Sequence, residues 1–176
     1  IKQNNRNRLL WQDSAVDGVK TGHTEAAGYC LVASAKRDSM RLTSVVMGAK
    51  SEKARAQASL ALLNYGFRFY ESPKLYPGGQ PIEKLRVWMG AIEELPVGPA
   101  ADIHATIPRG RYDKLAARIE KNPDIIAPVA KGDKVGEIVV DLDGKEVGRE
   151  PLIALQDVAE GGWWEWLRDT VLRWFQ

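Results

Sequence analysis

Within the ten residues Ser72-Pro73-Lys74-Leu75-Tyr76-Pro77-Gly78-Gly79-Gln80-Pro81 stand three prolines and two glycines. Proline has no N–H to give a helix or an inner strand, and glycine weakens both. A regular element cannot run through that density, so residues 72–81 are expected to be a linker between two modules. At 176 residues, 44% hydrophobic and 27% charged, the chain can bury a sizeable core in one domain or two small ones. Disordered and collagen-like chains are excluded.

Upstream of the break, Val19 to Thr24, Tyr29 to Ser34 and Leu42 to Gly48 read as strands, with a hairpin turn over Lys36-Arg37-Asp38-Ser39. Ser51 then stands as an N-cap ahead of Glu52 to Phe69, where Ala54, Ala58, Ala61, Leu62, Tyr65 and Phe69 recur at helical spacing. The expected order is strand, strand, strand, helix. Downstream, short runs such as Leu85 to Met89, Ile103 to Ile107 and Ile138 to Leu142 are punctuated by Pro and Gly. They point to a small all-β sandwich or barrel, and Asp143-Gly144 is a two-residue hairpin signal.

The end of the chain is different again. Four of the six tryptophans, Trp163, Trp164, Trp166 and Trp174, fall within twelve residues. On a helical wheel they share one half with Leu167, Val171 and Phe175, while Glu165, Arg168, Asp169 and Arg173 take the other; Leu172 and Thr170 break the pattern. A helix of this kind is too short to span a bilayer, and Trp favours the headgroup region, so an interfacial membrane helix is expected. Its acidic and basic residues cancel, so attachment should rest on aromatic and apolar burial rather than on anionic lipid.

Several classes of function drop out on composition. Twenty-five Lys plus Arg against 23 Asp plus Glu give a net charge of +2, too even a balance to hold nucleic acid. One cysteine, Cys30, precludes an internal disulfide and a cysteine-rich metal site, and only His23 and His104 are left as imidazole ligands, so no metal site is expected; nothing in the sequence calls for an organic cofactor. His104 and Cys30 read as ordinary sheet residues. Lys131 to Ile138 resembles a carrier-domain phrase, but its one candidate for modification, Lys145, lacks supporting flanks. The opening Ile1-Lys2-Gln3-Asn4-Asn5-Arg6 has neither an initiator Met nor a signal-peptide core, as expected of a processed or truncated chain.

The motif that carries chemistry is Lys20-Thr21-Gly22-His23-Thr24. A strand lysine and hydroxyls offer a cation and donors to an anionic ligand, and a glycine between them lets a ligand backbone approach. The motif is followed by Ala27-Gly28-Tyr29, Leu31 to Ala35, Met40-Arg41-Leu42, Val46-Met47-Gly48, Tyr65 to Phe69 and Ile107-Pro108-Arg109-Gly110-Arg111. In that order, and over its whole length, the chain resembles the low-molecular-mass penicillin-binding proteins that act as serine D-alanyl-D-alanine carboxypeptidases.

The resemblance implies an architecture. Residues 1–71 would be an α/β remnant, the end of the penicillin-recognising, β-lactamase-like transpeptidase domain; 82–157 would be the small all-β sandwich domain and 158–176 a C-terminal amphipathic membrane anchor. In the family the site joins a Ser-x-x-Lys, a Ser-x-Asn and the Lys-Thr-Gly strand. Only the third is here: none of Ser14, Ser34, Ser39, Ser44, Ser51, Ser59 and Ser72 has a lysine three residues on or an asparagine two on. The acylated serine is therefore expected outside these residues, and the chain alone is expected to be inactive.

By the same resemblance, Lys20 would draw the substrate's terminal carboxylate, Thr21 with Thr24 would hydrogen-bond it, and Gly22 would leave room for the substrate strand. The His23 N–H would be one oxyanion donor, its side chain would line the cleft, and Arg55 would assist carboxylate binding. The partners implied are a peptidoglycan stem peptide, β-lactams and the periplasmic face of the bacterial cytoplasmic membrane. Three strands and a helix leave unpaired edges and a bare apolar face, so self-association or a companion N-terminal fragment is expected. The alternative reading is a non-catalytic membrane-associated β module that positions or recruits a cell-wall partner.

Overall fold

The computed structural model describes residues 4–173, in two compact units. One is the chain up to Ser72 together with Thr106–Gly110; the other is Pro73–Ala105 with the chain from Arg111 onward. In chain order the elements are α1 (Leu9–Gln12), β1 (Val16–Thr24), β2 (Gly28–Arg37), β3 (Met40–Ala49), α2 (Glu52–Phe69), β4 (Tyr70–Glu71), β5 (Lys74–Tyr76), β6 (Glu83–Arg86) and β7 (Glu94–Pro99). They continue with β8 (Ile103–His104), β9 (Ile107–Pro108), a 3₁₀ turn at Tyr112–Lys114, β10 (Leu115–Lys121), β11 (Lys134–Leu142), β12 (Lys145–Ala154) and α3 (Trp163–Arg173).

In the first unit β1, β2 and β3 form an antiparallel meander, and α2 covers one face. Ser51 caps α2, its Oγ accepting from the Ala54 N–H at 3.1 Å. The face that α2 buries is not the one its apolar spacing suggests. Arg55, Ala56, Ser59, Leu63 and Phe67 are buried, whereas Ala58, Ala61, Leu62, Tyr65 and Phe69 are exposed and Ala54 is half-buried. Small residues explain the choice: a Cβ on Gly66 would lie 2.4 Å from Leu42 Cδ1, so the helix sits close on β3 along its Ala-Ser-Gly side. Leu62, Tyr65 and Phe69 are left outside, as are Val45 and Met47 on the opposite face of β3.

The end of α2 explains why Thr106–Gly110 belongs to this unit. β9 pairs with β4, and the Arg109 guanidinium donates to the carbonyls of Phe67, Arg68 and Tyr70 at 3.1, 3.3 and 3.3 Å. These include the last carbonyls of the helix, which have no partner within it, and a cation there also suits the helix dipole.

The second unit is mostly β and sandwich-like. Its main sheet has the order β10-β11-β12-β7-β6, with β5 and β8 paired apart from it. Ile138, Val139 and Val140 are all buried, as a strand covered on both faces requires. Asp143 and Gly144 both have positive φ, 52° and 76°, which is the hairpin geometry their sequence favours. Residues 72–81 are not a free linker: Lys74–Tyr76 is a strand, Gly79 N–H donates to Pro99 at 2.8 Å, and Ile82 N–H to Val97 at 2.9 Å. Proline is tolerated there because the segment pairs only at isolated positions. Across β10, β11 and β12 the exposed Arg118 and Arg149 join Glu120, Glu137, Asp141 and Glu146 in a lattice of ion pairs.

The terminal helix begins at Trp163, not at residue 158, because Val158 is buried and bonded in both directions to Val129 as a bridge. Asp169, expected on the solvent half of α3, is only 1% exposed. Its carboxylate accepts from Met89 N–H at 2.7 Å and lies 3.4 Å from the Arg86 guanidinium, while Arg168 pairs with Glu93. The helix thus docks on its polar side. Burial alone pushes the Asp169 carboxyl up, but the Met89 N–H, Arg168 and Arg86 outweigh it, and the group titrates below the ordinary aspartate range.

A depressed folded value means that the docking is stabilised at neutral pH and loses that contribution as pH falls through the folded value of Asp169. Asp169→Asn keeps the shape and removes the charge, and should weaken the docking by about 1–3 kcal/mol at pH 7. Amide exchange along α3 reads it. Protection in the variant should fall roughly fivefold to a hundredfold at pH 7, and the wild-type protein should converge on it below the acid transition. Equal protection at neutral pH would refute the role given to Asp169.

Candidate active-site cleft

β1 is an outer strand of its sheet, and its second half, Lys20 to His23, lines an open cleft of about 590 Å³. Asn4, Asn5, Arg6, Val19, Tyr29, Glu52 and Arg55 complete the walls. β1 is held from β2 by the antiparallel register Thr21↔Leu31, Gly22↔Cys30 and His23↔Tyr29. Leu31 is part of the buried core, so the strand is fixed to the hydrophobic interior while its other edge is free among the described residues.

The side chains divide by task. Lys20 is exposed, and its ammonium reaches only the neighbouring Thr21 carbonyl, at 2.7 Å; no carboxylate pairs with it among the described residues. At Gly22 an added Cβ would meet Cys30 Cβ at an ordinary 3.7 Å, so the position is open rather than sterically obliged to be glycine. His23 is exposed and lies against Tyr29, with 4.0 Å between ring centroids. Thr24 departs from the expectation: it is not among the cleft residues, because its hydroxyl accepts from Ala27 N–H at 2.9 Å and closes the turn to β2.

Arg55 is no solvated first-turn residue. It is 3% exposed, and its guanidinium donates to the carbonyls of Gly22 at 3.2 Å and Arg6 at 3.4 Å. The Tyr29 ring lies 5.6 Å from its Cζ, and Glu52 lies 3.6 Å away on the same helix. Glu52 escaped the sequence reading. Its only signal was the i,i+3 spacing to Arg55, which an ordinary helix surface also shows.

The cleft joins a surface cation, an open strand edge and a buried arginine. Comparison with known proteins shows the family to which the chain belongs. Residues 70–160 match the family model described as penicillin-binding protein 5, C-terminal domain, and residues 1–51 match the model for D-alanyl-D-alanine carboxypeptidase. The chain belongs to the penicillin-binding protein 5 family of D-alanyl-D-alanine carboxypeptidases. The carboxypeptidase DacA of Escherichia coli strain K12 is 42% identical over 173 residues, 97% of this chain and 43% of that protein. DacC of the same strain is 42% identical over 181 residues, 99% of this chain and 45% of the relative. The chain therefore spans less than half the length of these curated relatives.

Solved structures of the family agree. Penicillin-binding protein 5 from Haemophilus influenzae superimposes with a TM-score of 0.80 at 44% identity, over 91% of this chain and 47% of that one. The D-alanyl-D-alanine carboxypeptidase DacD from Francisella tularensis gives 0.58 at 39% identity, over 90% of this chain and 40% of its own. The carboxypeptidase model covers Lys20 to Thr24 and ends just before α2, so Arg55 lies beyond its match.

Proposed function

We propose that this chain is the C-terminal part of a serine D-alanyl-D-alanine carboxypeptidase that removes the terminal D-alanine from peptidoglycan stem pentapeptides. The observation that carries the reading is the cleft itself: Lys20, Thr21, Gly22 and His23 lie in sequence along an open strand edge. The chain up to Ser72 with Thr106–Gly110 is the close of the penicillin-binding catalytic domain, Pro73–Ala105 with the chain from Arg111 is the β-rich domain, and α3 (Trp163–Arg173) is the membrane segment. In the complete site a serine outside this chain attacks the D-Ala-D-Ala carbonyl, D-alanine leaves with a proton, and water releases the acyl group. Lys20 and Thr21 hold the substrate carboxylate, and the N–H of His23 is one donor to the oxyanion. The exposed Leu62, Tyr65 and Phe69 of α2 and Val45 and Met47 of β3 are the faces on which the rest of the catalytic domain closes. Intact-mass spectrometry after incubation with benzylpenicillin tests the reading: this 19.5 kDa chain takes no adduct alone, and a companion polypeptide with Ser-x-x-Lys does.

The helix α3 lies on the outer face of the cytoplasmic membrane in this reading. Trp163, Trp164 and Trp166 are 75, 65 and 55% exposed, and Leu167 is exposed beside them, while Asp169 is buried. That inverts what water selects and suits an interface. Trp174 and Phe175 lie outside the described residues, as does the side chain of Val171; no helix is long and apolar enough to cross a membrane among those described. The chain should float with neutral phosphatidylcholine vesicles and stay bound in 1 M salt, where the Debye length falls to about 3 Å from about 10 Å at 0.1 M. Replacing Trp163, Trp164 and Trp166 together with Ala should abolish flotation, and binding that disappears in salt would overturn the assignment.

A further inference from the structure

We propose that β10 is a self-pairing edge: two copies of this chain join their β10 strands antiparallel about a two-fold axis at Ala117, making one continuous sheet. The surface belongs to the β-rich unit and shares no residue with the cleft or with the open faces of the first unit. β10 is an outer strand of its sheet, with β11 on one side and no strand on the other among the described residues. The ladder decides which backbone groups face outward. The Lys114 carbonyl accepts from Asp143 N–H at 3.2 Å and Asn122 N–H donates to the Val135 carbonyl at 2.9 Å, so the even-numbered residues are the ones that bond to β11. The N–H and C=O groups of Leu115, Ala117, Ile119 and Lys121 therefore point away from the sheet, as a template for another strand.

Proteins usually guard such an edge. The opposite outer strand, β6, is guarded, with Glu83, Lys84 and Arg86 among its four residues. β10 is longer, and its Leu115, Ala117 and Ile119 share a face with the buried Ile138 and Val140 of β11. Leu115 and Ile119 are themselves only half-buried, so the core reaches this edge without cover. On the other face Arg118 and Glu120 are held by their own neighbours in the ion-pair lattice. The sequence then selects the partner. Reversed about Ala117, the run Lys114-Leu115-Ala116-Ala117-Arg118-Ile119-Glu120 sets Lys114 opposite Glu120, Leu115 opposite Ile119 and Ala117 opposite itself. Outward-facing residues meet outward-facing residues, as an antiparallel ladder demands. Ile119 of the second copy comes to lie beside an open groove of about 210 Å³ that Leu75, Tyr76, Tyr112 and Leu115 help to line. Neighbouring registers fail. About Arg118, that guanidinium would face its own copy and Leu115 would face Lys121; about Ala116, Lys114 would face Arg118.

The test uses a polypeptide that carries this chain with the rest of the catalytic domain, in detergent, so that association through the first unit does not intrude. Proline at position 117 removes an outward N–H and none that β11 needs, so Ala117→Pro should keep its circular-dichroism melt. Sedimentation should show a wild-type dimer, and the variant's dissociation constant should rise about tenfold or more, as expected when two backbone hydrogen bonds are lost. Ala117→Cys, made with Cys30→Ser, sets two thiols on Cα atoms about 5.5 Å apart, within disulfide reach, and mild oxidation should link the copies. Arg118→Cys, whose counterpart is Ala116, should not link. Lys114→Glu places like charges opposite each other, so its dimer should be several times weaker and should tighten with salt, whereas the wild-type dimer loosens. A wild-type protein monomeric at every concentration, cross-linking through residue 118 rather than 117, or association unmoved by Ala117→Pro would overturn the inference.

Discussion

Gly98→Ala should unfold most of the β-rich unit at temperatures where the wild-type protein is intact. Gly98 sits in β7, paired with Ile153 of β12, and a Cβ built on it falls 2.2 Å from the carbonyl oxygen of Gln80. That oxygen is backbone and cannot rotate away. The segment around it is tied to β7 on both sides, by Gly79 N–H to Pro99 at 2.8 Å and Ile82 N–H to Val97 at 2.9 Å. Making room therefore means breaking one or both of these bonds as well as shifting the strand. Overpacking costs about 1–3 kcal/mol and each lost backbone bond about 1 more, so the variant should lose roughly 2–5 kcal/mol. Against a typical domain stability of about 5–15 kcal/mol that is a large share. Urea unfolding followed by circular dichroism measures it. Gly148→Ala is the control: its Cβ would meet only Val140 Cβ, at an ordinary 4.0 Å, and should change stability by about 1 kcal/mol or less. A Gly98→Ala midpoint equal to that of the control would show that the 79–82 segment does not cross β7 this way.

Gly98 illustrates what could not be read from sequence. Nothing in Pro96-Val97-Gly98-Pro99 announces that another chain segment lies against it, because the constraint comes from residues some eighteen positions earlier. Local signals carried well. Ser51 caps α2, Asp143-Gly144 turns the β11 to β12 hairpin, and the three strands around Lys20-Thr21-Gly22 are where alternation placed them. Each depends on residues near in sequence. Non-local choices were lost. The apolar spacing of α2 was real but marked the face turned outward, since close approach to β3 selected Ala56, Ser59 and Gly66 instead. Asp169 looked like a solvent residue because its partners, Met89 and Arg86, are some eighty positions away. In the cleft, Lys20 to His23 were legible as a motif, while Glu52 and the grip of Arg55 on Gly22 appear only when α2 folds under β1.

Lys20→Ala should slow acylation by benzylpenicillin on the order of tenfold to a hundredfold, in a polypeptide that supplies the serine, and leave the fold untouched. The side chain is exposed and makes one hydrogen bond, to the adjacent Thr21 carbonyl, so nothing in the described structure rests on it. Its charge has no carboxylate beside it among the described residues, an arrangement that leaves it free to meet an anionic ligand. The neighbouring strand edge is open, and Thr21 stands next to it with a hydroxyl. A charge-assisted hydrogen bond to a carboxylate is worth about 1.5–3 kcal/mol, which sets the expected factor. Because the attraction is between a surface cation and an anion, the wild-type rate should also fall as salt rises, and the variant's rate should fall less. Lys20→Arg should recover only part of the rate, since a planar fork replaces a compact ammonium. Stopped-flow acylation at several ionic strengths separates these effects. An unchanged rate in Lys20→Ala with an unchanged melting temperature would remove Lys20 from the site. A salt slope equal in variant and wild type would mean that the carboxylate finds its positive charge elsewhere, and Arg55 would then be the group to re-examine.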